Sequence, residues 1–85
     1  MKDFIYEIQD EQGIHARPAG VLVKAANEYQ SDIQIDMDGK KGDLKRIFGV
    51  MGLGIKKGDN IRVIIEGPDE EMAAQKIETL FKEQL

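Results

Sequence analysis

Gly13-Ile14-His15-Ala16-Arg17-Pro18-Ala19-Gly20 is the stretch at which an extended segment hands over to a helix. Proline has no backbone N–H, so within a helix it is tolerated only in the first turn, where that group has no intrahelical acceptor. Pro18 therefore places a helix start near His15 or Ala16. From Pro18 the apolar positions Leu22, Ala25, Ala26 and Tyr29 recur at one face of a 3.6-residue period. The helix is expected to end around residues 27–30. Upstream, Phe4, Tyr6 and Ile8 alternate with Ile5 and Glu7, the period-2 pattern of a half-buried strand, and the polar run 9–13 reads as the loop between them.

Ser31-Asp32 marks a turn, after which Ile33, Ile35 and Met37 alternate as a second strand. Asp38-Gly39 is a strong hairpin signal, and Lys40 to Leu44 is the return strand, placed at a sheet edge where its lysines discourage further pairing. Ile47, Val50 and Met51 have helical spacing over barely two turns, and Gly49, Gly52 and Gly54 keep that helix short. Ile61, Val63 and Ile65 alternate within a fourth strand, Asn60–Glu66. Gly67-Pro68-Asp69-Glu70-Glu71 opens a last helix, with proline near the first turn and carboxylates at the positive end of the dipole. Its buried stripe is read as Ala73, Ile77, Leu80, Phe81 and Gln84. The order β-α-β-β-α-β-α predicts an α+β fold: a four-stranded, mainly antiparallel sheet covered on one face by three helices.

Eighty-five residues suit one domain spanning 1–85. With 33% charged and 41% hydrophobic residues the chain has the balance of a globular domain rather than a disordered one. The absence of cysteine excludes disulfides and thiolate metal sites, and suits a reducing, cytoplasmic setting. The N-terminus lacks the apolar run of a signal peptide or membrane anchor. A net charge of −4 argues against nucleic acid as the main partner. Gly52-Leu53-Gly54 lacks the third glycine of a dinucleotide loop, and Asp36-Met37-Asp38-Gly39 lacks the glutamate of a calcium loop. No cofactor and no metal site is expected.

His15 is the only histidine. Neutral imidazole is abundant at physiological pH and can act as a covalent nucleophile. At a helix start the N–H groups of Ala16 and Arg17 lie just beyond it, and with the positive helix end they favour an added anion. Arg17 is suited to charge-assisted contact with phosphoryl oxygens. Such a site can accept and release a phosphoryl group without a metal or a general base. On the residues alone, His15 fits equally a helix cap or an exposed side chain, and Arg17 a surface residue.

The sequence resembles the HPr family, the histidine-containing phosphocarriers of the bacterial sugar phosphotransferase system, over nearly its whole length. Gly13-Ile14-His15-Ala16-Arg17-Pro18-Ala19 is similar to the family's phosphorylation-site motif. Leu44-Lys45, Ile47-Phe48-Gly49-Val50-Met51 and Leu53-Gly54 are similar to its second signature. Ser31-Asp32-Ile33 and Gly67 with Asp69-Glu70 resemble its entries to strand 2 and the last helix. The resemblance implies an open-faced β-sandwich and a phosphohistidine on Nδ1 of His15, steadied by Arg17. It implies a phosphoryl group received from enzyme I, charged by phosphoenolpyruvate, and passed to the A domain of a sugar-specific enzyme II. Such a protein is a carrier without turnover of its own, and a monomer suffices. It also implies partner docking through Ile47, Phe48 and Met51, with Gly20 near the rim; the plain alternative for the first three is core packing, against which Val50 and Leu53 can cover the sheet and leave the opposite side of a two-turn helix, with Phe48 and Met51, exposed.

Arg46 stands where many family members from Gram-positive bacteria carry a regulatory serine. The chain's one serine, Ser31, and one threonine, Thr79, lie elsewhere. Modification by HPr kinase/phosphorylase at that position is therefore not expected. Arg46, with Lys24 and Lys45, is expected instead to form a basic rim toward acidic partners. An alternative role is an HPr-like regulatory or binding module, in a non-sugar phosphorelay or in carbon-metabolism control. Family paralogues confined to catabolite control lack the histidine and keep the serine, the reverse of this chain.

Overall fold

The computed structural model describes residues 1–85. Its elements are β1 (Lys2–Glu7), α1 (Ala16–Ala26), β2 (Asp32–Met37), β3 (Lys40–Asp43), α2 (Ile47–Met51), β4 (Asn60–Glu66) and α3 (Glu70–Gln84). The strands form one sheet in the order β1-β4-β2-β3, with every pairing antiparallel. The hairpin between β2 and β3 closes at Asp38 and Gly39, both at positive φ (52° and 87°), as a two-residue turn matched to strand twist demands.

Register sends the apolar positions to one face. Val63 of β4 stands between Phe4 of β1 and Ile35 of β2, and Ile65 lies opposite Ile33. These side chains meet the helices, and the ring of Phe81 on α3 packs edge-on against Phe4 at 5.8 Å and tilted against Tyr6 at 5.7 Å. The other face stays open: Ile5 is 70% exposed there, and Arg62 pairs with Asp3 at 2.6 Å. The arrangement is the expected open-faced sandwich.

Two local expectations need correction. The buried stripe of α3 ends on Leu85 rather than Gln84, which is exposed. Ala73, Ile77, Phe81 and Leu85 lie four residues apart, so one line of the helix surface carries the burial and Gln84 falls on its flank. Tyr29 lies beyond the end of α1, half-buried in the connection to β2. Pro68, just before the N-cap Asp69, stands near the first turn of α3 as expected.

Asp69 joins two distant parts of the chain. Its carboxylate accepts the N–H groups of Gln30 and Ser31, both at 2.9 Å, and the Ser31 hydroxyl. These hydrogen bonds hold its carboxyl below the usual carboxylate range, the bond from the Ser31 hydroxyl contributing most. Ser31 is fully buried by this arrangement. No helix is long and apolar enough to cross a membrane.

Candidate functional site

The loop that delivers His15 is tied down at several points. Gln9 and Asp10 donate their N–H groups to the Leu85 carbonyl at 2.6 and 2.9 Å, and Gly58 donates to the Ile8 carbonyl at 2.8 Å. Ile14 N–H reaches the Ile55 carbonyl at 3.2 Å. Between them Gly13 adopts φ 66°, and a Cβ there would overlap the Ile55 carbonyl oxygen. Glycine is required by conformation and by contact.

His15 is the N-cap of α1, with extended backbone (φ −100°, ψ −176°) and a side chain that makes no capping bond. Its carbonyl accepts the Ala19 N–H at 3.0 Å, while buried Pro18 and Ala19 anchor the first turn. The imidazole is thus displayed, 36% exposed, rather than spent on the helix. The Ala16 and Arg17 N–H groups have no protein acceptor. Arg17 is exposed and forms no ion pair. Two amide donors and the positive helix end therefore follow the imidazole directly, with an unpaired arginine in the same turn, an arrangement suited to an anion.

Sequence reading missed Asp10. Its Oδ1 accepts the Gln12 N–H at 2.8 Å, which turns Oδ2 toward His15 Nε2 at 3.7 Å. That separation is too long for a hydrogen bond but sets a negative charge on the Nε2 side of the ring, so Nδ1 is the nitrogen left unengaged by Asp10. The available signal was an aspartate two residues before a polar loop position, the pattern of an Asx turn.

The residues expected to dock partners divide cleanly. Val50 alone of α2 is buried; Phe48 is 86% exposed, Met51 39% exposed, and Ile47 half-buried. Core packing is thus excluded for Phe48. Helix α2 can lie flat on the sheet edge because a Cβ on Gly42 of β3 would stand only 2.5 Å from the Gly49 carbonyl oxygen. Gly20 is exposed, with open space where a side chain would begin. None of the 16 acidic residues falls within 12–27 or 44–58, the segments carrying α1 and α2, whereas Arg17, Lys24, Lys45, Arg46, Lys56 and Lys57 do. Neither His15 nor Arg17 lines any depression of the surface. Enclosing pockets are what small ligands use; a partly exposed imidazole at the start of α1 and an exposed aromatic on α2 suit the surface of another protein.

The sequence model described as the HPr component phosphorylation site of the phosphotransferase system matches residues 2–83. The chain belongs to the HPr family. A histidine-containing phosphocarrier protein from Mycoplasma is 39% identical, superposes with a TM-score of 0.94, and the match covers 96% of this chain and 93% of that one. The phosphocarrier HPr of Bacillus anthracis is 34% identical with a TM-score of 0.85, over 93% and 94% of the two chains. The HPr-like catabolite repression protein Crh of Bacillus subtilis, a domain-swapped dimer, is 35% identical with a TM-score of 0.79, over 94% and 92%. Both phosphocarriers and a catabolite-control protein thus share this HPr fold.

Proposed function

We propose that this chain accepts a phosphoryl group on His15 from enzyme I and passes it to the A domains of sugar-specific enzymes II. The observation that carries the reading is the uncapped, displayed imidazole at the start of α1, beside the free Ala16 and Arg17 N–H groups and the free Arg17 side chain. The lone pair of Nδ1 forms the N–P bond as the bond holding the phosphoryl group to enzyme I breaks. On delivery that N–P bond breaks as the acceptor on the enzyme II A domain forms its own. No base is needed, because the attacking nitrogen of neutral imidazole bears no proton. The two amides and Arg17 meet the phosphoryl oxygens by charge-assisted hydrogen bonds, and the chain is a shuttle between kinase-like partners rather than an enzyme. Phe48, Met51, Ile47 and the bare surface at Gly20 form the contact area, working in the cytoplasm as a monomer.

Incubation with phosphoenolpyruvate and enzyme I, read by intact mass, tests this. An acid-labile phosphoryl adduct that is absent from His15→Ala is the expected result. Absence of the adduct from the unaltered chain overturns the carrier reading and favours a binding or regulatory module.

A further inference from the structure

A five-residue helix with one buried side chain cannot fix its own direction. Short isolated helices are marginal in water, and α2 owes its orientation to what holds its ends. Its middle rests on β3 through Gly42 and Gly49. Its entry is held by a different device. The Lys45 ammonium donates to the Tyr29 carbonyl at 2.8 Å, and the Asn27 amide donates both to the Lys45 carbonyl at 3.0 Å and to the Val23 carbonyl at 2.8 Å. Arg46 N–H and Lys45 N–H both return to Asp43, at 3.0 and 2.9 Å. The end of α1 and the start of α2 are thereby stitched together through residues 16 and 18 positions apart in sequence.

Lys45 is unlike the neighbouring cations. It is half-buried, no carboxylate lies within ion-pair distance of it, and its charge is directed at a backbone carbonyl. Withdrawing an ammonium from water without an anion is costly, and the gain here is geometric. Its one acceptor, the Tyr29 carbonyl, lies three residues past the end of α1, in the connection to β2, so the ammonium ties that connection to the entry of α2. Arg46, one residue on, is 81% exposed, and the only ion pair of its guanidinium is with Asp43, at 3.8 Å.

We propose that Asn27 and Lys45 form a clamp that sets the placement of α2 against α1, making both of them positioning residues for partner docking. His15 stands on α1 and Phe48 on α2, so a partner that grips one must find the other at a fixed offset. The clamp maintains that offset without touching the phosphoryl group. This inference rests on the phosphocarrier reading for its kinetic consequence, though not for its structural one.

Lys45→Met removes the donor and the charge; Asn27→Ala removes the other strand of the clamp with no change of charge. Both variants should raise the KM of enzyme I for this protein by about three- to tenfold at unchanged kcat, equally in low and high salt. Lys45→Arg, which keeps a cationic donor, should recover most of the loss. Residual dipolar couplings of the backbone amides should show α2 reoriented relative to α1 in both variants. An unchanged KM with an unchanged inter-helix orientation in either variant overturns the proposal. A KM effect confined to Lys45→Met and to low salt also overturns it, since Lys45 would then act as a surface charge. A fall in kcat at constant KM overturns it by moving Lys45 to the chemical step. If the unaltered chain takes no phosphoryl group, the carrier reading fails separately, and the couplings alone decide for or against the clamp.

Discussion

Oδ2 of Asp10 lies 3.7 Å from Nε2 of His15, while Oδ1 of the same carboxylate is held by the Gln12 N–H. One oxygen fixes the carboxylate and the other faces the ring. Asp10→Asn preserves the shape and removes the charge. As the N–P bond forms, the ring gains positive charge opposite this carboxylate; partly exposed charge pairs contribute about 0.2–1 kcal/mol, so the rate of phosphoryl transfer to His15 should fall by about 1.5- to 5-fold, with the N–P bond still on Nδ1 by nitrogen NMR. An unaltered rate would show that the helix alone orients the imidazole.

The Asp69 carboxylate, which ties α3 to the connection before β2, has its proton affinity lowered in the folded state, chiefly by the Ser31 hydroxyl. The unfolded chain then binds the proton more readily. The stabilisation is complete above the ordinary value of 3.8 and is lost as pH falls from there through the lower folded value. Denaturant unfolding should show a smaller midpoint for Asp69→Asn than for the unaltered chain at neutral pH, with the gap narrowing as pH falls below 3.8. A gap that is constant across that range would assign the acid sensitivity to other carboxylates.

Arg46 blocks one kind of regulation by its chemistry, and burial blocks the obvious substitute. Ser31 is inaccessible with its hydroxyl donated to Asp69, and the Thr79 hydroxyl is donated to the Gln75 carbonyl at 2.8 Å. Incubation with HPr kinase/phosphorylase and ATP should leave the mass unchanged, whereas Arg46→Ser, at an exposed N-cap position that favours serine, should gain one phosphate. Phosphate found on Ser31 in the unaltered chain would contradict this. In the same variant the rate of transfer from enzyme I should fall by less than about fivefold in low salt and be unchanged in high salt, as expected for an exposed steering charge.

Most strands and helices were legible from periodicity because each buries one face; β3, which buries none of its residues, was legible only from the Asp38-Gly39 turn before it. Alternation in 33–37 and 61–65, and the four-residue spacing from Pro18 onward, are direct records of which side chains leave water. Pro18 located the start of α1, and with it the imidazole of His15, because a missing N–H has few places to go. The family signatures around 13–19 and 44–54 were equally local. Periodicity has no means of reporting what a polar side chain reaches across space. Asp10 read as a loop residue, Asn27 as a helix end and Lys45 as a rim charge, until folding brought each to a particular partner. The one-sided burial of a two-turn helix already set Val50 against the sheet and left Phe48 and Met51 outside, as the structure has them. Gly42 and Gly49 let α2 settle on the sheet edge with Val50 inward and Phe48 outward. Local patterns encode the face an element buries; the order β1-β4-β2-β3, the charge beside His15 and the offset between α1 and α2 arise from contacts between segments far apart in the chain, where the hydrogen-bonding needs of one are met by another.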